Sequence, residues 1–225
     1  PHAGQKASFS VSAFFGPAGN SDSFSKAHKS SQAAPKWIRD FGLDCYEYQC
    51  GKGVHIGEES ARKLGQAAQA AGIRLSLHAP YFINLANPDP DALKKTIGYI
   101  ISACFAADCM GASRVVIPSG ALMKRSRQEA LEIAKKSLKA VIQACDDANF
   151  GHISLCPETM GKINQLGDLD EVLELCSLDE RLIPCIDFGH LYARTLGELE
   201  GHEACVKMLD RVEEILGTDR ASTFH

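Results

Sequence analysis

The chain has 225 residues, of which 45% are hydrophobic and 23% are charged, and its formal net charge is −4. This composition is typical of a soluble globular protein with a sizeable core, and the negative charge excludes a uniformly basic nucleic-acid binder. The longest apolar stretch, around residues 100–107, is too short to span a bilayer.

The nine cysteines show no paired Cys-x-x-Cys spacing, and their number is odd. Several of them, including Cys104 and Cys185, lie within apolar runs. This pattern indicates reduced core thiols and a cytoplasmic protein. We expect residues 1–7 to be an expression remnant or a frayed end, followed by one domain over residues 8–225.

Hydrophobic periodicity and glycine or proline punctuation predict alternating strands and helices. In the first half of the chain they predict strand 8–15, helix 35–41, strand 44–49, helix 58–71, strand 73–78 and a helix from 87–91 to 110. The glycine- and serine-rich residues 16–22 lack the Lys-Ser/Thr of a P-loop and the third glycine of a dinucleotide site. We therefore interpret them as a plain loop rather than as a phosphate cradle.

In the second half the predicted elements are strand 113–117, helix 127–149, strand 152–156, helix 169–176, strand 182–186, helix 196–216 and the start of a strand at 222–225. Short strands that are apolar on both faces are typical of parallel strands joined by helical crossovers. The strand ends lie near residues 15, 49, 78, 117, 158, 187 and 225, so six intervals cover 210 residues, or 35 per unit. This period predicts an α/β fold, a (β/α)8 TIM barrel, with the last βα unit missing from this sequence or the barrel closed in an unusual way.

In such a barrel the carboxyl ends of the strands and the loops after them form the active-site face. The groups there that can bind a divalent metal are Glu47, His78, Glu158, Asp187, His190 and His225. Imidazole and carboxylate ligands without thiolates suit zinc, manganese or iron, and a metal-bound water becomes a nucleophile near neutral pH.

Each of these residues also has a purely structural interpretation. His78 can be a core histidine bonded to the backbone, Glu158 can cap a turn, and Asp187 can pair with His190. His225 can be an ordinary surface residue. Since all four interpretations must hold together on one rim of one fold, a shared metal site is the simpler hypothesis.

Four stretches resemble the endonuclease IV family of apurinic/apyrimidinic endonucleases, within the xylose-isomerase-like TIM barrels. The most specific is His78-Ala-Pro-Tyr-Phe-Ile-Asn-Leu85. The others are Pro157-Glu158-Thr-Met-Gly161, Cys185-Ile-Asp-Phe-Gly-His190 and Thr223-Phe-His225. The resemblance runs from about Phe9 to His225.

The resemblance implies hydrolysis of the phosphodiester 5′ to an abasic site, in base excision repair, at a trinuclear zinc centre. It implies that His78 binds one zinc ion, that the catalytic Glu158 bridges two, that Asp187 and His225 complete the second, and that His190 belongs to the third. It implies that Tyr81 lies on the DNA-facing loop. We predict Asn84 and Lys162 as further DNA-binding residues. The implied partner is abasic duplex DNA, with no membrane or protein partner, and we expect a monomer.

Two departures from the family pattern imply fewer than three zinc ions. Ile117 stands where the family has a histidine before a proline. The remaining ligands of the family follow strand seven, where this sequence stops. Sugar isomerases and epimerases of the same superfamily use a single manganese or magnesium ion, for which Glu158, Asp187 and His225 suffice. In that alternative Glu158 also acts as an acid and base beside a carbonyl, and His190 contacts the sugar.

A third hypothesis is a binding barrel that keeps part of a metal site without turnover. For DNA binding, the rim loops offer basic residues that either contact phosphates or are solvated loop charges. They are Lys52, Lys124, Arg125, Arg127 and Lys162.

Overall fold

The computed structural model describes residues 13–225. The predictions for residues 1–7, and for the first five residues of strand 8–15, lie outside the described residues. The rest of that predicted strand, residues 13–15, is not in a strand.

A parallel sheet forms the centre of the fold. Its strands are β1 (Cys45–Gln49), β2 (Arg74–His78), β3 (Arg114–Pro118) and β4 (Ser154–Glu158), in the spatial order β1-β2-β3-β4. Each pair of neighbours is parallel. Strand β4 begins and ends two residues later than the predicted strand 152–156. Glu158 is therefore the last residue of β4 rather than a residue after it.

An extended segment, residues 15–19, continues this sheet beside β1. The amide of Asp44 donates to the Phe15 carbonyl at 2.7 Å, and the amide of Gly19 donates to the Glu47 carbonyl at 2.9 Å. Gly16 permits the close approach, since a Cβ there would lie 1.7 Å from the Cys45 carbonyl oxygen. Among the described residues, the first strand position of the sheet is therefore residues 15–19, whereas the predicted strand ended at residue 15.

Two further segments extend the sheet beyond β4. The amide of Cys185 donates to the Pro157 carbonyl at 2.9 Å, and the amide of Ile186 donates to the His225 carbonyl at 2.7 Å. The predicted strand 182–186 pairs with β4 through one isolated bridge, Glu158 with Cys185, and not through a continuous ladder. The reason is Pro157, which has no N–H where a parallel ladder would need the next donor.

The extended sheet is strongly curved. The described residues form seven parallel positions in chain order, so about five strand spacings of about 4.8 Å, or roughly 24 Å, would separate β1 from the last segment in a flat sheet. Instead, Glu47 of β1 and His225 hydrogen-bond at 2.8 Å. Arg114 at the start of β3 likewise reaches the Thr223 carbonyl at 2.9 Å. This curvature is that of a barrel, and it brings the strand ends around one centre.

Helices cover the outside of the sheet. They are α1 (Asp22–Ala27), α2 (Ala34–Asp40), α3 (Glu58–Ala71), α4 (Pro90–Met110), α5 (Arg127–Asp147), α6 (Leu169–Cys176), α7 (Phe188–Arg194), α8 (Gly201–Leu216) and α9 (Thr218–Ala221). Capping residues define several of the ends: Asp89 precedes Pro90 at the start of α4, and Gly72 ends α3 in the left-handed conformation.

Helix α8 begins five residues later than the predicted helix 196–216. Helix α7 was not predicted. Leu196 and Gly197 both have positive φ angles, 55° and 95°, which are incompatible with a helix. The chain therefore turns between α7 and α8. The helix and its end at Leu216 were predicted correctly, but its start was not.

Two apolar cores hold these layers together. The larger fills the space between the sheet and helices α2–α6, with Leu64, Leu77 and Leu138 wholly buried. The smaller lies under α6–α8 and includes Leu173, Ile186, Leu191, Met208 and Val212. All nine cysteines are unpaired thiols, six of them buried. Within residues 13–225, no helix combines the length and hydrophobicity that crossing a bilayer requires.

Two glycines offer a matched test of the contact between α3 and α4. A Cβ on Gly65 would lie 2.5 Å from the Met110 carbonyl oxygen, whereas a Cβ on Gly98 meets nothing within 4 Å. Because overpacking costs about 1–3 kcal/mol and alanine favours a helix by about 1 kcal/mol over glycine, we expect Gly65→Ala to lower the free energy of unfolding. Gly98→Ala is expected to raise it. Urea denaturation of both variants checks the prediction, and equal effects would contradict the close packing.

Arg181 makes the acid stability of the fold testable. Its guanidinium donates to Asp146 at 2.6 Å and to Asp179 at 2.8 Å. These bonds lower the pKa of both carboxyl groups below their ordinary 3.8. A carboxyl group whose pKa is lowered in the folded state stabilises the fold when the pH is above its ordinary pKa. This stabilisation is lost as the pH falls through the pKa of the folded state. We expect Arg181→Gln to be less stable than the wild type near neutral pH and the difference to shrink below about pH 4. A pH-independent difference in urea denaturation would refute this.

Candidate metal centre

Three predicted ligands converge where β4 and the next segment end. Within residues 13–225, Glu158, Asp187 and His190 are the one group of three or more His, Cys, Asp or Glu residues whose ligand atoms all lie within 4.8 Å of one another. Two carboxylates and one imidazole form a donor set that suits zinc or manganese. The residues present therefore fit a divalent cation.

Asp187 and His190 are positioned by the first turn of α7. Asp187 caps this helix, and its Oδ1 accepts from the His190 amide at 2.7 Å. The His190 Nδ1 lies 3.4 Å from Asp187 Oδ2 and donates to the Thr159 carbonyl at 2.8 Å. Gly161 lets the imidazole lie against the backbone, since a Cβ there would be 3.2 Å from the ring. The two motifs Pro157–Gly161 and Cys185–His190 thus interlock.

Glu158 connects this group to a second histidine. Its side chain is nearly buried, with 9% of its surface exposed. Oε2 lies 3.3 Å from His78 Nε2, and Oε1 lies 3.6 Å from His190 Nδ1. The two oxygens of one carboxylate thus face two different imidazoles. The buried Ser119 hydroxyl donates to the Glu158 carbonyl at 2.8 Å and fixes the backbone there.

His78 is oriented by the backbone on its other side. Its Nδ1 donates to the Ala79 carbonyl at 2.8 Å, so Nε2 is the nitrogen that faces Glu158. Burial disfavours the charged imidazole, but the hydrogen bond and charge of Glu158, with help from Ala79 and Glu47, raise the pKa of His78 to about 9. His78 is thus held with Nε2 toward the Glu158 carboxylate.

His225 lies outside the group of three and contacts a different carboxylate. Its Nε2 is 2.8 Å from Glu47 Oε2, and both side chains are largely buried. Burial would raise the pKa of Glu47, but the hydrogen bond and charge of His225, the charge of His78 and a bond from Gln49 together lower it. Glu47 is therefore an ionised carboxylate inside the curved sheet.

Ile117 supplies no ligand to this centre. Its side chain is wholly buried and belongs to the larger core between the sheet and the helices.

The predicted DNA-facing residues lie on the loops around the centre. Tyr81 is 68% exposed, and its ring packs edge-on against Phe82, which in turn packs against Tyr99. Lys162 is exposed on the loop after β4. The Asn84 side chain is mostly occupied: its Oδ1 accepts from the amides of Ala86 and Ala121, at 3.0 and 2.9 Å. Asn84 therefore joins the loop after β2 to the loop after β3.

Sequence reasoning did not single out three further residues that shape the rim. Thr159 accepts from the Asp187 amide at 2.8 Å, and Ser119 supports Glu158; Thr159 adjoins Glu158 in its motif, but nothing in the sequence marks Ser119. Arg194 donates to the carbonyls of Met160, Lys162 and Gln165 and so fixes the loop after β4. Arg127, a candidate phosphate contact, instead pairs with the buried Glu171.

A family model described as xylose isomerase-like TIM barrel matches residues 35–225. The chain belongs to this family. The TIM-barrel fold class predicted from the sequence is thereby confirmed, and so is the similarity to endonuclease IV, because proteins with that name occur among the similar sequences and structures.

An uncharacterised protein of Methanocaldococcus jannaschii is 32% identical over 188 residues, covering 84% of this chain and 67% of that protein. A protein named probable endonuclease 4 from Acholeplasma laidlawii is 24% identical, covering 66% of this chain and 50% of its own length. This xylose isomerase-like chain thus spans about half the length of that relative.

Solved structures with the same fold carry two kinds of names. Endonuclease IV from Thermus thermophilus superposes with a TM-score of 0.61 at 20% identity, covering 84% of this chain and 68% of that one. A D-tagatose 3-epimerase-like protein gives 0.65 at 22% identity, covering 83% and 70%. At these identities the likeness shows the fold, and the proteins that share it include both nucleases and epimerases by name.

Proposed function

We propose that this chain carries the metal centre of an endonuclease IV-like phosphodiesterase that hydrolyses DNA 5′ to abasic sites. The observation that carries the proposal is the position of Glu158, whose two oxygens face His78 on one side and His190 on the other. With an imidazole near each of its oxygens, Glu158 would be able to contribute to two cations. A single-cation site has no need of His78.

Each residue has a role in this proposal. His78 and His190 would each bind through Nε2, because the Nδ1 of each donates to a backbone carbonyl. Asp187 adds a carboxylate beside His190. His225, in the last segment, is the further ligand that this proposal assigns to the centre. Zinc ions held here supply an activated water and stabilise both the attacking and the leaving oxygen of the phosphodiester.

The rim supports the same function. Tyr81 projects an exposed aromatic ring, with Phe82 behind it, beside the end of β2. Aromatic rings can stack on exposed bases or fill the gap at a missing one. Lys162, Lys124 and Lys52 are exposed on the rim loops and can neutralise phosphates.

The test is cleavage of a short duplex that carries a single abasic-site analogue, with the undamaged duplex as the comparison. We expect incision 5′ to the abasic site in the presence of zinc, and none of the undamaged strand. Binding is expected to weaken steeply with salt, because phosphate contacts release counterions. Specific binding that is insensitive to salt, or zinc-loaded protein that incises neither duplex, would contradict the proposal.

A sugar epimerase is the second candidate. Glu158, Asp187 and His190 alone satisfy one cation, and Ile117 removes a ligand that the nuclease family has. Glu158 is placed to move a proton beside a carbonyl in that case. The two functions separate on substrate: manganese-dependent C3 epimerisation of a ketohexose, without incision of abasic DNA, would replace the nuclease proposal by the epimerase.

A further inference from the structure

Glu47 and His225 form a buried pair that the proposed roles leave unexplained. They are 178 residues apart, and their side chains are 15% and 23% exposed. Glu47 has no counterpart among the ligands that the resemblance to endonuclease IV implies. It also lies outside the group of three converging ligands.

The partners of Glu47 fix its orientation. Gln49 Nε2 donates to Oε1 at 2.8 Å, while Ser76 Oγ and His225 Nε2 donate to Oε2 at 3.5 and 2.8 Å. Both carboxylate oxygens are therefore occupied by donors. Such a carboxylate is preorganised to hold an imidazole, and it has little freedom to turn away.

The pair determines which nitrogen of His225 is available. Glu47 already accepts from Gln49 and Ser76, so it is the acceptor in this pair as well, and Nε2 of His225 carries the hydrogen. Nδ1 is then the nitrogen of His225 through which a cation can bind. His78 and His190 show the opposite arrangement, since in both the Nδ1 donates to a backbone carbonyl. Metal-binding histidines commonly donate their second N–H to a carboxylate or a carbonyl, which fixes the ring.

We infer that Glu47 is a positioning residue of the metal centre, which holds the Nε2–H of His225 so that this histidine offers Nδ1 to a cation. The inference rests on the proposed function in requiring that the centre binds a cation and that His225 is one of its ligands. It applies equally to zinc in a nuclease and to manganese in an epimerase. A merely structural pair would tie the last segment to β1, and its loss would leave zinc affinity unchanged.

Long-range proton–nitrogen NMR of histidine-labelled protein tests the inference, with Zn²⁺ as the probe and His225→Gln to assign the signals. We expect a slowly exchanging Nε2–H on His225, with and without zinc, and a zinc-induced shift at Nδ1. Glu47→Gln is expected to retain both signals, because its amide oxygen still accepts. Glu47→Ala is expected to lose the protected Nε2–H and to bind zinc about 10–100-fold more weakly. The Nδ1–H signals of His78 and His190 in metal-free protein serve as internal controls.

The outcomes are separable from those of the cleavage assay. Zinc bound through Nε2 of His225, or unchanged His225 signals and zinc affinity in Glu47→Ala, would overturn the role of Glu47 and leave the proposed function standing. Zinc bound through Nδ1 by a protein that cleaves no abasic DNA would refute the nuclease and keep the role of Glu47. A chain that binds no cation would overturn both. If Glu47→Ala does not fold, the spectra of the wild type and Glu47→Gln still decide which nitrogen binds.

Discussion

Replacing Glu158 with glutamine is expected to abolish the proposed zinc binding at the centre and, with it, the proposed phosphodiester cleavage. The amide keeps the shape of the side chain, but it has no charge, and its nitrogen cannot bind a cation. Because Glu158 faces both His78 and His190, the substitution disturbs two ligand pairs at once. We expect zinc affinity to fall by at least about 100-fold, since even outer partners of metal ligands contribute roughly 10–100-fold. Cleavage is expected to fall by roughly three orders of magnitude, because the cations supply several kcal/mol of charge stabilisation.

The measurement is zinc content per chain by elemental mass spectrometry, on protein purified without chelator, followed by titration of zinc into the metal-free protein. Glu59→Gln is the matched control, because it makes the same chemical change on a glutamate whose side chain is 83% exposed on α3. Its zinc content and cleavage rate are expected to equal those of the wild type. Wild-type zinc binding by Glu158→Gln would remove Glu158 from the centre.

The helices with clear end signals were predictable from the sequence, and α7 was not. The bounds of α3 and α6 agree with the predictions, because Gly72 ends α3 and the Asp168–Glu171 capping box begins α6. Helix α7 has only seven residues, and its first turn includes Phe188 and Gly189 instead of an apolar period. Its start depends on Asp187 capping the helix, a signal that is visible only once the turn is known to be helical.

The candidate centre was predictable where ligands are close in the chain and not where the sheet brings them together. Asp187 and His190 lie three residues apart, and the spacing alone places them side by side. The contact between His78 and Glu158 depends on the curvature of the sheet, and that between Glu47 and His225 depends on it even more. A sequence shows that such residues end neighbouring strands, but it does not show which pairs meet inside the barrel.

The second large effect is a loss of stability, expected on substitution of Glu171. This side chain fixes the loop after β4 through hydrogen bonds to its backbone. Its side chain is 9% exposed and accepts from the amides of Gly167 and Asp168, at 2.7 and 2.9 Å. It also accepts from the guanidinium of Arg127, whose Nη1 in turn donates to the Ile163 carbonyl at 3.0 Å. Glu171 thus connects helices α5 and α6 to the loop that carries Lys162.

Glu171→Ala is expected to lower the free energy of unfolding by about 3 kcal/mol. The substitution leaves the buried Gly167 amide without an acceptor and the Arg127 guanidinium without its carboxylate, and breaking a buried ion pair costs about 3–5 kcal/mol. The lower end applies because the Arg127 side chain is 35% exposed and solvent partly replaces the lost partner. Glu171→Gln is expected to lose less, because one oxygen can still accept from both amides.

Urea denaturation of these variants and of Arg127→Gln supplies the measurement, with Glu174→Ala as the control on the same helix. The Glu174 side chain is 47% exposed and pairs with Lys135 on the surface, so its loss is expected to cost below about 1 kcal/mol. The double variant Arg127→Gln/Glu171→Ala is expected to lose less than the sum of the single losses, because removing both partners leaves no unpaired charge. Additive losses would mean that Glu171 acts on the amides alone. Helix α5 would then be linked to the loop after β4 through the bonds of Arg127 to the loop carbonyls, and not through Glu171.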